Sequence, residues 1–213
     1  MAIAVKICGL STIDAVTAAI DGGAAMVGFV FFPPSPRAIT ADRLAGLVQG
    51  VPASVPRVGL FVDAGDDEIE AAVGTGGLDM LQFHGGESPG HVLRLKERFG
   101  LPVMKAMAIA GPDDLEAVKS YEPVVDRLLF DARPPKGATR PGGNALAFDW
   151  RVLNGISPTV PWLLAGGLSA QNLAEAVRIS GAPAVDVSSG VEDAPGVKNI
   201  AKIREFLDLA ATL

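Results

Sequence analysis

Eight short apolar runs, separated by stretches of helical periodicity, constrain this chain more than any other feature. The runs are Ile3–Cys8, Met26–Phe31, Arg57–Val62, Met80–His84, Pro102–Met107, Arg127–Asp131, Pro161–Ala165 and Ala184–Ser188. They are near-continuous rather than alternating, which is how parallel strands read when both faces are covered. Between them, Ile13, Val16 and Ile20 fall at i, i+3 and i+7. Val92, Leu95 and Phe99 repeat that spacing, and so do Ile200, Ile203 and Leu207. Ser11 with Asp14, Ser88–Pro89, and Ser169 ahead of Leu173 and Val177 are helix-start signals. Gly23, Gly50 and Gly77 recur every 27 residues just before a strand, where a glycine suits the residue after a helix. Eight units of that length fill a chain of 213 residues. The expected fold is α/β: a single (β/α)8 barrel of parallel strands, with residues 1–213 forming one domain. The rival, an open doubly wound sheet, calls for an opening G-x-G-x-x-G that the sequence lacks.

Composition narrows the function. Eighteen basic against 24 acidic residues leave a net charge of −6, which argues against a general nucleic-acid binder. Local donors can still hold an anionic small molecule. One cysteine excludes a disulfide framework and any multi-cysteine metal site, and two histidines leave little material for a histidine metal cluster, so no metal is expected. No apolar stretch approaches the roughly 20 residues of a membrane helix, and the N-terminus shows no signal-peptide pattern. The expectation is a cytoplasmic protein without membrane or nucleic-acid partners. Its oligomeric state, monomer or homodimer, is left open.

In a barrel of this kind, polar residues at the C-terminal ends of strands are the first candidates for chemistry. Cys8 ends the first run and is either a base or nucleophile, or a small buried hydrophobe. Asp131 ends the sixth. A carboxyl against an apolar wall is pushed toward its protonated form and can act as an acid; the other reading is a helix cap or a loop ion pair. Arg37, in the stiff segment Pro34–Arg37, is either a carboxylate clamp or a solvated surface residue. His84 ends the fourth run and either positions substrate or makes a structural hydrogen bond; His91 is given no role. Gly166 and Gly167 follow the seventh run, and Ser188, Ser189 and Gly190 follow the eighth. Small residues there let backbone N–H groups approach a phosphate. Asp186 is either a site residue or a structural acceptor. The irregular stretch Arg133–Ala147 is either a lid or a solvated loop.

Taken in order, these residues resemble the phosphoribosylanthranilate isomerases of tryptophan biosynthesis. The resemblance runs nearly end to end. It rests on Lys6–Leu10, Ser35–Arg37, Val58–Val62, Gln82–Gly85, Phe130–Asp131, Phe148–Trp150, Leu164–Leu168 and Val185–Glu192. It implies a cofactor-free barrel that converts N-(5-phosphoribosyl)anthranilate to 1-(2-carboxyphenylamino)-1-deoxyribulose 5-phosphate. It also implies Cys8 as general base, Asp131 as general acid, Arg37 on the anthranilate carboxylate, and a phosphate cradle after the last two strands. Departures from the family pattern fall at Gly142–Ala145, at Lys198–Asn199 and at Phe83. The alternatives are a related phosphosugar enzyme, such as the histidine-pathway isomerase, or a catalytically silent phosphate-binding barrel. The former typically has aspartate where Cys8 stands.

Overall fold

The computed structural model describes residues 2–134, 137, 141–143 and 147–213. Eight parallel strands close into a barrel in chain order. They are β1 (Ala4–Cys8), β2 (Met26–Phe31), β3 (Arg57–Phe61), β4 (Met80–Phe83), β5 (Val103–Ile109), β6 (Arg127–Ala132), β7 (Trp162–Leu164) and β8 (Ala184–Val187). Each expected run holds one strand. The largest discrepancy is β5, which continues past Met107 because Ala108 and Ile109 still pair with Asp131 and Ala132 of β6. Closure sets β8 beside β1, with Lys6 the register partner of Asp186.

Helices α1 (Ile13–Asp21), α2 (Ala41–Leu47), α3 (Asp66–Val73) and α4 (Pro89–Phe99) follow the first four strands. A 3-10 turn (Pro112–Ala117) leads into the single-turn α5 (Val118–Tyr121). After β6 the described element is only a 3-10 turn, Trp150–Leu153. Helices α6 (Leu173–Ser180) and α7 (Ile200–Ala210) complete the ring. An antiparallel hairpin, β9 (Glu192–Ala194) and β10 (Val197–Lys198), is inserted between β8 and α7.

The period-two alternation of each strand divides the core in two. Met26, Val58, Met80, Met104, Leu129 and Leu163 fill the barrel interior. Alternate residues, among them Ile7, Phe29, Phe61, Leu81 and Phe130, pack outward under the helices. Both faces are therefore apolar, which is why the strands read as continuous runs. On β1 the alternation sends Lys6 and Cys8 inward.

Local signals meet mixed outcomes. Ser88 caps α4, its side chain accepting the His91 N–H. The cap of α1 is Thr12 rather than Ser11; the Thr12 hydroxyl accepts from Ala15 N. Asn172, not Ser169, precedes α6; it accepts from Ser169 N and donates to Gly167 O, so it secures the loop as well. Of the three spaced glycines only Gly23 has positive φ, at +82°; near the third, Gly76 takes that conformation instead of Gly77. Ile13, expected on the buried stripe, is 63% exposed because it opens α1 beyond the reach of its neighbours. The expected lid or loop at 133–147 falls largely outside the described residues.

Candidate active site

Every side chain singled out at a strand end lies at one mouth of the barrel. Cys8, Arg37, His84, Asp131, Asp186 and Ser188 line a cavity whose apolar wall is Val30, Phe32, Leu60 and Val62. Asp131, Asp186 and Ser188 also line a neighbouring cavity, with Gly166, Gly167 and Ser189. The two share a boundary under Gly142 and Gly143. One chamber is mixed apolar and charged; the other is lined mainly by small residues, with Asp131, Arg133 and Asp186 as its charged members.

The loops explain their glycines. Gly166 and Gly167 have φ of +89° and +63°, a region side chains rarely enter. Gly190 does not line the second cavity but stands behind it. A Cβ there would lie 1.9 Å from Leu168 O, so the loops after β7 and β8 meet at this point backbone to backbone.

Cys8 is almost fully buried. Burial pushes its thiol up, while the adjacent Lys6 and the more distant Lys198 pull it down and Asp186 pushes it further up. Lys6 is completely buried, its Nζ 2.7 Å from Asp186 Oδ1. Burial disfavours the Lys6 ammonium, but Asp186 and Cys8 outweigh it and hold the group charged. Asp186 is thus a structural acceptor that also lines the cavity.

Asp131 does not sit against a purely apolar wall. Its Oδ1 accepts the Ala132 N–H at 2.8 Å, and its Oδ2 lies 3.1 Å from His84 Nε2. His84 Nδ1 lies 3.2 Å from Gln82 Nε2. With that amide donating to Nδ1, the ring proton is on Nε2 and points at Asp131. Gln82 Oε1, at the end of this chain, is buried without a partner.

Arg37 is neither solvated nor free. Its Nε and Nη2 each lie 2.7 Å from a carboxylate oxygen of Glu192, a bidentate pair buried on both sides. Nη1 is left toward Gly143, where a Cβ would approach it to 2.5 Å. Lys198 bonds Glu192 Oε1 at 2.8 Å and Ser188 O at 2.8 Å. Burial lowers Lys198 against the opposing pull of Glu192. The hairpin therefore fixes Arg37 from one side and the loop after β8 from the other.

The sequence from Val5 to Leu209 matches the family model for N-(5'-phosphoribosyl)anthranilate (PRA) isomerase. The N-(5'-phosphoribosyl)anthranilate isomerase of Paramagnetospirillum magneticum is 54% identical over 210 residues, covering 99% of this chain and 98% of that protein. This chain belongs to the phosphoribosylanthranilate isomerase family. The crystal structure of the Thermotoga maritima isomerase matches with a TM-score of 0.88 at 31% identity, covering 99% of this chain and all of the other; that enzyme is dimeric. An isomerase of the family in complex with reduced 1-(o-carboxyphenylamino)-1-deoxyribulose 5-phosphate matches with a TM-score of 0.82 at 30% identity, covering 99% and 100%.

Among isomerase residues, three at this mouth escaped the reading of the sequence as site residues: Lys6, Glu192 and Lys198. All three lie inside the quoted motifs or beside them. Distance along the chain hid two of the contacts: Lys6 meets Asp186 across 180 positions and Arg37 meets Glu192 across 155, whereas Lys198 meets Glu192 across only six. Of the family departures, Asn199 keeps its local task, capping α7 by accepting from Lys202 N. Phe83 packs in the outer core beside Phe61. Asn144 and Ala145 lie outside the described residues.

Proposed function

We propose that the whole chain is one catalytic domain that isomerises N-(5-phosphoribosyl)anthranilate to 1-(2-carboxyphenylamino)-1-deoxyribulose 5-phosphate, a step of tryptophan biosynthesis, with Cys8 as base and Asp131 as acid. The observation that carries the residue assignment is that one cavity holds both groups while a second, contiguous cavity of small residues opens beside Asp131. Gly166, Gly167, Ser188 and Ser189 take the phosphate, and Gly190 keeps their loops in contact. The apolar wall takes the anthranilate ring, with Arg37 Nη1 toward its carboxylate.

In the first step protonated Asp131 gives its proton to the furanose ring oxygen. The C1–O bond breaks, and the anthranilate nitrogen lone pair forms a C=N⁺ bond. The iminium acidifies the proton on C2, which the Cys8 thiolate removes to leave an enolamine. Its C2 hydroxyl becomes the ketone as C1 gains a proton. His84 serves Asp131 in both states. It donates from Nε2 when the carboxyl is ionised; with the Gln82 amide turned over, it accepts from the carboxyl when protonated. Such proton transfers contribute about 10²–10⁴-fold each. Anchoring at both ends of the substrate supplies the positioning. The protein acts as a soluble cytoplasmic catalyst on a phosphorylated small molecule.

The test is consumption of phosphoribosylanthranilate, made in place from anthranilate and phosphoribosyl pyrophosphate and followed by loss of its fluorescence. Turnover above the spontaneous background is expected for the intact protein. Cys8→Ala and Asp131→Asn, folded as judged by circular dichroism, should each lower kcat by about 10² or more. Unchanged turnover in either variant removes that residue from its role.

A further inference from the structure

The lysine inside the barrel has no part in the scheme above, and its position calls for one. Lys6 is completely buried and extends from the same face of β1 as Cys8, two residues before it. A Cβ built on Gly28 would fall 3.0 Å from Cys8 Sγ and 3.1 Å from Lys6 Nζ. Thiol and ammonium therefore share the space that the absent Gly28 side chain leaves open. Asp186, across the β1–β8 seam, holds the ammonium at 2.7 Å.

For stability alone this is a poor design. Replacing a buried ion pair by apolar residues of similar volume is often neutral or stabilising, and the interior immediately below is methionine, valine and leucine. The thiol, on the other hand, is buried, and burial works against the charged form that a base needs. Other charges near it are Lys198 on β10, and Arg37, His84 and Asp131 around the same cavity. Arg37 and Lys198 are both bound to Glu192. Lys6 is the cation on the strand of the thiol itself.

We propose that Lys6 is a positioning residue for the proton transfer: clamped by Asp186, its ammonium is the counter-ion that lets the buried Cys8 sulfur exist as the thiolate that takes the C2 proton. This rests on the assignment of Cys8 as base. Asp186 plays two opposed parts, keeping Lys6 charged and aimed while its own negative charge works against the thiolate.

Because Cys8 is the only cysteine of the chain, its ionisation can be read directly. The rate of alkylation by iodoacetamide, followed by mass spectrometry from pH 5 to 10, gives the midpoint for the thiol. Lys6→Met should move it up by about one unit or more, leaving about tenfold less thiolate at neutral pH. The kcat/KM profile should shift with it, so that activity returns as the pH is raised while KM changes little. Asp186→Asn should move the midpoint down. Opposite shifts support the proposal. Midpoints that stay in place, or that move the same way in both variants, overturn it, as does a pH–rate profile that does not follow the midpoint. If Lys6→Met does not fold, Lys6→Gln, which can still hydrogen-bond Asp186 but carries no charge, takes its place: an upward shift supports, and an unmoved or downward one overturns. Retained turnover in Cys8→Ala would instead overturn the underlying base assignment, whatever the thiol titration shows.

Discussion

Arg37 reaches the site with two of its five guanidinium N–H donors already committed. Two 2.7 Å bonds to Glu192 hold its Nε and Nη2, so the guanidinium arrives oriented rather than searching for a partner. Glu192 in turn joins Arg37 to Lys198. Removing one member leaves the others buried and short of a partner, which costs more than an exposed pair would. Arg37→Ala should raise KM strongly and lower stability by about 3 kcal/mol, the low end for a broken buried pair because Lys198 still faces Glu192. Glu192→Gln keeps the cation but loosens its aim, so KM should rise by less. Steady-state kinetics and urea denaturation check both; a KM unmoved in Arg37→Ala would remove the carboxylate contact from the scheme. The Arg37–Glu192 pairing is not visible locally, whereas Glu192 and Lys198, six residues apart, are register partners of the β9–β10 hairpin. Arg37 stands among prolines and Glu192 after a serine–glycine turn, and only folding brings them together.

At the scale of elements, glycines mark where backbone meets backbone. The loops after β7 and β8 touch at Gly190, where a methyl group would land on Leu168 O. Gly190→Ala must part the two loops. It should lower stability by about 1–3 kcal/mol and raise KM severalfold through the phosphate cradle, with kcat less affected. Gly46, inside α2, is the contrasting case: a Cβ there meets nothing within 4 Å. Gly46→Ala should therefore raise stability by about 0.4–1 kcal/mol through helix propensity and the unfolded chain, with KM unchanged. Thermal melts and kinetics on the two variants test the contrast, and equal effects would contradict it. The strands and most helices were legible at this scale because burial on both faces of a strand, or on one stripe of a helix, leaves a periodic trace. Caps and helix ends were less so. Thr12 displaced Ser11, and Gly76 displaced Gly77, because the side chain or backbone that closes a turn depends on a rotation that adjacent candidates share.

For the molecule as a whole, the carboxylates that bind its elements together set its response to acid. Burial works against the Glu192 carboxylate, but Arg37 and Lys198 together outweigh it and hold the group below its ordinary value. On the surface, the Arg94 hydrogen bond is the leading cause that brings Asp66 to about 2, joining α3 to α4. A folded value below the unfolded one means that the unfolded chain binds more protons in the interval between them. The stabilisation is then complete above the ordinary carboxylate range and is lost as pH falls through the folded value. The stability advantage of the native chain over Glu192→Gln, read from urea midpoints, should shrink steadily from pH 6 to pH 3; a constant difference would show that the charge on Glu192 contributes nothing to folding. The eight strands, and the order in which they close, follow from patterns within each segment of about 27 residues. So does the gathering of Cys8, His84 and Asp131 at one mouth, since the C-terminal ends of parallel strands share a rim. The partners of those residues do not follow. Lys6 reads as one more residue of an apolar strand until closure places Asp186 of β8 beside it, and His84 meets Asp131 only across the barrel mouth. Periodicity records whether a residue faces the core or the solvent. Which two charges share a buried site is decided by the ring closing on itself, and that is a property of tertiary structure alone.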